Sequence, residues 1–184
     1  MKKEKGEVML ESLIIMTLTL FILIWLLGLG FMHYQRYLLT VVTNDAAAKV
    51  AATYNNPTSD LVLGYMAAED ITSRDLYRSF TASNLVGVSQ QKAENYIVYM
   101  LNRTNFMGTI DHVEVNVKFV QDTIYRRHIQ VDSVCTFRNP FGNIMSMFGM
   151  SDTMKCAATG RADCTDVIDY VNTVDVVANA TSLD

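Results

Sequence analysis

The sequence predicts an α+β protein in which a long N-terminal transmembrane helix continues into a small extracellular domain with an antiparallel sheet. Three observations predict it. Residues 13–32, LIIMTLTLFILIWLLGLGFM, carry no charge and have two Thr as their only polar side chains. Residues 33–54 keep a helical apolar repeat with neither Pro nor Gly. Further on, Val113, Val115, Val117 and Phe119 alternate with Glu114, Asn116 and Lys118, the period of a strand with one buried face.

Composition narrows the class. The chain has 184 residues, 50% apolar and only 18% charged, enough for one domain plus an appendage. Two Pro and nine Gly exclude collagen-like and Pro/Gly-rich disordered chains. Fifteen Lys+Arg against nineteen Asp+Glu leave a net charge of −4, so no basic face is expected for nucleic acid. Three Cys are too few for a disulfide scaffold and their spacing matches no zinc pattern.

The apolar run is the first element. A helix over residues 13–32 spans roughly 30 Å, the thickness of a hydrocarbon core. Thr17 and Thr19 can bond their own helix carbonyls and cost little there. A cleaved secretory signal has a shorter apolar region and a small-x-small cleavage site. Here the run is longer and His33-Tyr34-Gln35-Arg36 follows it. Lys2, Lys3 and Lys5 precede the run, and only Arg36 closely follows it. The positive-inside rule then puts the N-terminus in the cytoplasm and residues 33–184 outside. Lipid is the expected medium of residues 11–32.

Glu11 does not fit a plain anchor. It stands at the head of the apolar run, where an ionisable group is costly and calls for a partner. It lies five residues beyond Gly6, which ends a short basic leader. This arrangement resembles the type IV prepilin signal, which a membrane aspartyl peptidase cuts after the Gly. The resemblance implies a leader of residues 1–6 and a cleavage site at Gly6 and Glu7. It divides the rest into an N-terminal helix, 7–54, and an extracytoplasmic α+β domain, 55–184. Cleavage would give Glu7 a free α-amino group. That charge and the Glu11 carboxylate can pair between neighbouring subunits and set their axial register.

The next stretch extends the likeness. Leu38, Leu39, Val42, Ala46 and Val50 recur at three- and four-residue steps, so the helix is expected to run to about Tyr54. Asn55-Asn56-Pro57 ends it. Segment 6–54 resembles the TadE-like minor pilins of the tight-adherence (Tad/Flp) system. The matching residues are Gly6, Glu11, Thr43-Asn44-Asp45-Ala46-Ala47 and Lys49-Val50-Ala51-Ala52. The chain departs from the pattern in having Met16-Thr17 where many members have a Pro, and Glu7 where major pilins have an aromatic residue. The resemblance implies a structural, non-enzymatic minor pilin or pseudopilin in a bacterial cytoplasmic membrane. A prepilin peptidase and other pilins of a Tad-type apparatus would be its partners, with entry into a surface pilus left open. The alternative is an unprocessed, signal-anchored outside domain that binds a ligand or catalyses a reaction.

Residues 58–66 read as a connecting loop. Residues 71–81 and 90–103 read as helices, the second presenting Ala93, Ile97, Met100 and Leu101 on one side with Ser89 as its N-cap. The strand around Val115 is expected to turn at Gln121-Asp122-Thr123. Ile129, Val131, Ser133, Cys135 and Phe137 continue the apolar alternation. A three-residue turn would pair Val115 with Ile129 and Val113 with Val131, apolar with apolar. Asn139-Pro140-Phe141-Gly142 breaks the second strand. Residues 144–150 are Met-rich, either one helical turn lying over the core or a contact loop. Residues 153–162 read as a third strand with Met154, Cys156 and Ala158 inward. The acidic tail from Thr165 reads as a weak helix or a final strand.

Little in the outside domain suggests chemistry. Cys135 and Cys156 are expected on inward faces of neighbouring strands and can form a disulfide; Cys156–Cys164 is the rival pairing, and reduced thiols the third option. The expected register sets His112 opposite Asp132 and His128 opposite Asn116, read as an exposed polar ladder rather than an acid–base pair. No metal-ligand spacing, phosphate loop or nucleophile motif is present in the sequence, so no cofactor, metal or catalytic residue is assigned.

Overall fold

Residues 2–52 are continuously helix-compatible, and they form one rod. In the computed structural model, which describes residues 2–54, 61–62, 85–105, 108–123, 126–146, 149 and 151–164, helix α1 runs over Lys2–Ala52. At 1.5 Å per residue it is about 77 Å long. Residues 2–6 of the expected leader are helical as well, continuous with the apolar run. The helix closes where expected: Thr53 N–H donates to Lys49 O at 3.1 Å, and its hydroxyl donates to the same carbonyl at 2.7 Å.

The rest is a two-layer head around the C-terminal half of that rod. Helix α2 spans Leu85–Thr104. Strands β1, Thr109–Thr123, β2, Arg126–Arg138, and β3, Thr153–Cys164, form an antiparallel meander in the order β1-β2-β3. A single helical turn, α3, Gly142–Ser146, connects β2 to β3. On one face of the sheet α1 packs against β2 and β3, and α2 packs against β1 and against α1.

The core follows from two periodicities. Leu39, Val42, Ala46, Ala47, Val50 and Ala51 are buried on α1 at helical spacing, with Leu38 half-buried beside them. On the sheet, Val115, Val117, Ile129, Val131, Cys135, Phe137 and Cys156 are buried at a spacing of two. The small side chains of α1 let the helix sit close to the sheet. Gly160 marks a close approach, with the Thr43 carbonyl against it. Beside it the hydroxyls of Thr43 and Ser133 share a buried hydrogen bond of 2.6 Å, and Thr43 also donates to Leu39 O at 2.7 Å.

Three expectations are corrected. The first concerns the β1–β2 register: Val115 pairs with Ser133, Val117 with Val131, and Phe119 with Ile129. Gln121, Asp122 and Thr123 belong to β1 instead of turning, and the register slips between Gln121 and Thr123 before the chain reverses. The shift is an even number of residues, so every side chain keeps its face while changing its partner. His112 therefore lies opposite Thr136, Asn116 opposite Asp132, and His128 opposite Val120. Second, α2 begins at Leu85, so Ser89 is buried inside it and is no N-cap. The expected contact face is nonetheless real: Ala93, Ile97 and Leu101 are fully buried and Met100 packs against the core. Third, Cys164 is eight residues beyond Cys156 on the same extended strand, about 26 Å away at ~3.3 Å per residue. That excludes the Cys156–Cys164 pairing. The stop at Asn55-Asn56-Pro57, the helix at 71–81 and the tail from Thr165 lie outside the described residues, as does most of the 58–66 loop.

Candidate functional site

The head leaves half of α1 bare. From residue 8 to residue 20 every position is exposed, and from residue 8 onward the first buried position is Gly28. Val8, Leu10, Leu13, Ile14, Leu18, Leu23 and Leu27 are all more than half exposed. Burying such side chains is worth about 1.5–3 kcal/mol each, so an uncovered row of them is a surface built for another apolar medium. The bare segment, residues 8–27, spans roughly 30 Å. This helix is long and apolar enough to cross a membrane. Its bare part is displaced by about one turn toward the N-terminus from the expected 11–32, because the head claims residues 28–32.

Polar side chains within this segment are answered by the helix itself. Thr17 donates to Leu13 O at 2.8 Å, Thr19 to Met16 O at 2.9 Å, and Ser12 to Met9 O at 2.9 Å. The expected reason why Thr17 and Thr19 cost little is thus met. Glu11 is different. It is exposed on the apolar rod, and Val8, Ile14 and Ile15 occupy the adjoining positions on its helix face. Among the described residues no cation pairs with it. Gly6 and Glu7 lie in the opening turns of α1; their side-chain surroundings lie outside the described residues.

A collar fixes the rod to the head at the end of the bare segment. Met145 of α3 is buried over Gly28, where a methyl group would fall 2.9 Å from its Cε. Asn139 Nδ2 donates to the Met145 sulfur at 3.0 Å, and Asn139 Oδ1 accepts from Phe141 N–H at 2.9 Å. Met145 therefore clamps α1 at Gly28, whereas residues 147, 148 and 150 of the Met-rich stretch lie outside the described residues. Phe31 is buried against Gly108, whose φ of 93° only glycine adopts easily. Gln35 donates to Asn105 Oδ1 at 2.7 Å, and the Tyr34 hydroxyl donates to Thr104 O at 3.0 Å. The ends of β2 and α2, the start of β1, and α3 thus meet on one stretch of α1.

A second tie holds α1 to α2. Lys49 Nζ donates to the Tyr96 hydroxyl at 2.7 Å, and that hydroxyl donates in turn to the Asp45 carboxylate. Lys49 also lies 3.7 Å from Asp45 and 4.3 Å from the Tyr96 ring centre. The Tyr96 bond, and behind it the Asp45 charge, hold the Lys49 ammonium above its usual value against the opposing effect of burial. Burial first, and then the bond to Asp45, raise Tyr96. Asp45 and Lys49 are readable in the sequence as an (i, i+4) pair; Tyr96 as their third member has no sequence signal.

Cys135 and Cys156 face each other as Cα partners across β2 and β3, both buried. None of the three cysteines is in a disulfide in this structure. Burial, with the Cys156 thiol beside it, pushes Cys135 up to about 12; burial also raises Cys156, partly offset by the Arg36 charge. Such thiols are inert as nucleophiles at neutral pH.

The outer sheet face is polar. Asp132 sits at its centre and accepts from Lys118 at 3.2 Å, Gln130 at 2.9 Å and Thr159 at 2.9 Å. Burial pulls its carboxyl upward, but these three donors outweigh it and leave the group below the ordinary value. His112 faces Glu114 at 3.1 Å, both largely exposed. Among the described residues no group of three or more His, Cys, Asp or Glu side chains is placed to hold a metal.

A groove among the described residues was missed in the sequence. It encloses about 400 Å³ between α1 and the edge strand β3, beside the collar. Its lining includes His33 and Arg36 from α1 and Lys155 from β3. These residues are far apart in sequence, and only the packing of β3 on α1 brings them together.

Geometry thus defines a class: a small α+β head clamped to a rigid helical stalk whose bare half is apolar enough to cross a membrane. Comparison of the chain with protein-family models, with curated proteins and with solved structures gives no match in any of the three.

Proposed function

We propose that this chain is a minor pilin or pseudopilin-like structural subunit of a Tad-type pilus. It is inserted in a bacterial cytoplasmic membrane with its N-terminus in the cytoplasm and is cut after Gly6 by a prepilin peptidase. The observation that carries this reading is Glu11. It is the one charged side chain in the bare apolar stretch of residues 8–27, and no described residue neutralises it. A charged side chain at the centre of a membrane helix costs about 3 kcal/mol, and less near the edge. A helix that keeps one has a use for it between chains.

The mechanism is packing with a register mark. Cleavage leaves an α-amino group on Glu7, four residues before Glu11. A neighbour's α-amino group 4 Å from the Glu11 carboxylate would gain about 4 kcal/mol at an effective dielectric of ~20. Sliding one helix along the other by a turn loses that gain and leaves both charges unpaired. Apolar contact along the stalk is nearly indifferent to axial position, so the charge pair selects it. The collar then transmits the position of the stalk to the head without a hinge.

The test is the N-terminal sequence of the protein taken from membranes of cells carrying its own secretion machinery. A start at Glu7 supports processing and assembly. A start at Met1, with an active prepilin peptidase present, overturns the processed-pilin reading and leaves a signal-anchored outside domain.

A further inference from the structure

We infer that the groove between α1 and β3 is a binding site for the head group of an anionic membrane phospholipid. The phosphate would sit on Arg36 and Lys155, and the upper acyl chain would lie on Leu29, Met32 and Met154. The inference rests on membrane insertion of α1 and not on cleavage after Gly6.

Position is the first argument. The bare segment ends at Leu27, and the groove starts at Leu29. Leu29 and Met32 lie within ~8 Å of Leu27 along the helix, the depth of one head-group layer. Arg36 lies ~13 Å beyond Leu27, but side chains on a helix lean toward its N-terminus. A long cationic chain there reaches back toward the lipid surface.

Chemistry is the second. Leu29, Met32, His33 and Arg36 follow the spacing of one helix face and run from apolar to basic away from the stalk. The opposite wall is β3, where Met154 comes from the inward face and Lys155, exposed on the other face of the strand, stands at the rim. Among the described residues neither Arg36 nor Lys155 has an ion-pair partner, although the whole chain carries a net charge of −4. Both are exposed, so their charges are available. Two unneutralised cations and an imidazole match a phosphodiester in sign, and a groove of about 400 Å³ has room for it. A soluble phosphate would use the cations but leave the apolar floor unused.

The full chain is reconstituted into phosphatidylcholine vesicles containing a minority of phosphatidylglycerol and released in mild detergent. The lipid that stays bound is then measured by mass spectrometry. The expected result is enrichment of phosphatidylglycerol over its share in the vesicle. Arg36→Gln with Lys155→Gln lowers that enrichment by about five-fold per cation removed. Arg161→Gln, elsewhere on β3, leaves it unchanged, and Arg36→Lys with Lys155→Arg retains it. Enrichment that survives the double Gln variant, or falls equally with Arg161→Gln, overturns the site. Displacement of the lipid by inorganic phosphate in the buffer overturns the lipid as the source of the anion. Incorporation without enrichment defeats the groove alone, whereas failure to incorporate at all defeats the membrane reading with it.

Discussion

Gly160 of β3 lies directly against the backbone of Thr43 in α1. A Cβ at residue 160 would stand 2.6 Å from the Thr43 carbonyl oxygen and 2.9 Å from its carbonyl carbon. Both are backbone atoms inside a long helix, so neither can swing aside. Gly160→Ala must therefore push the helix off the sheet, at a cost of about 1–3 kcal/mol. The shift would also stretch the buried 2.6 Å Thr43–Ser133 bond. Thermal unfolding of the full chain in detergent, followed by circular dichroism, should show a clearly lower midpoint. An unchanged midpoint would mean that the helix and sheet are less tightly apposed than described.

Gly28 makes the opposite case. Its added methyl group would meet Met145 Cε at 2.9 Å and Sδ at 3.3 Å, the far end of a flexible side chain. Met145 can turn away, and alanine improves helix propensity by about 1 kcal/mol. Gly28→Ala is expected to stay within about 1 kcal/mol of the parent chain in the same melting experiment. A loss as large as that of Gly160→Ala would show that the collar tolerates no repacking.

Much of this fold was legible because two periods were strong. The repeat of Leu39, Val42, Ala46 and Val50 placed the buried face of α1, and the alternation from Val113 to Phe137 placed the inward faces of β1 and β2. The register was not legible. Gln121-Asp122-Thr123 has turn chemistry, but the strand pattern tolerates it, and an even register shift leaves face arguments unchanged. The Lys49–Tyr96 tie and the Arg36–Lys155 groove were invisible for another reason: each joins residues whose proximity exists only after packing. Glu11 was legible because a charge in an apolar run needs no tertiary structure to be conspicuous.

The cysteines give a prediction that depends on compartment. Cys135 and Cys156 are directly paired across two strands, whereas Cys164 is at the far end of β3. Protein recovered from an oxidising compartment should therefore contain a Cys135–Cys156 linked peptide and no Cys156–Cys164 one. Peptide mapping without reduction reads this directly. Reduced protein should be alkylated first at Cys164, since burial keeps Cys135 near 12 and Cys156 above its usual value. Equal labelling of all three thiols in the folded chain would contradict the burial of the pair.

The Lys49–Tyr96–Asp45 tie predicts an alkaline dependence. The folded values of Lys49 and Tyr96 both lie above their ordinary values of 10.5 and 10.0. A group whose folded value is raised holds its proton more tightly in the folded state. Its contribution to stability is complete below the unfolded value and is lost as pH rises through the folded one. The melting temperature should therefore fall above about pH 10 partly because of this tie. Tyr96→Phe keeps the buried ring and removes the hydroxyl. It should cost about 1 kcal/mol at neutral pH and flatten the fall above pH 10. A variant whose alkaline curve runs parallel to the parent's would show that other groups set that limb.

Glu11 allows the sharpest test of the assembly reading, because its effects on folding and on assembly separate. It lies on the bare part of α1, 17 residues before Gly28, the first buried position from residue 8 onward, so its removal should leave the head's stability unchanged. Removing a lone carboxylate from an apolar helix should also make membrane insertion easier. Glu11→Ala is thus expected to accumulate in membranes at least as well as the parent and to be cleaved after Gly6. It should nevertheless be lost from sheared filaments or from complexes cross-linked with other pilins. Glu11→Asp keeps the charge on a shorter arm and should retain part of the assembly. Normal assembly by Glu11→Ala would remove the charge pair from the mechanism, and apolar packing of the stalk would then have to set the register alone.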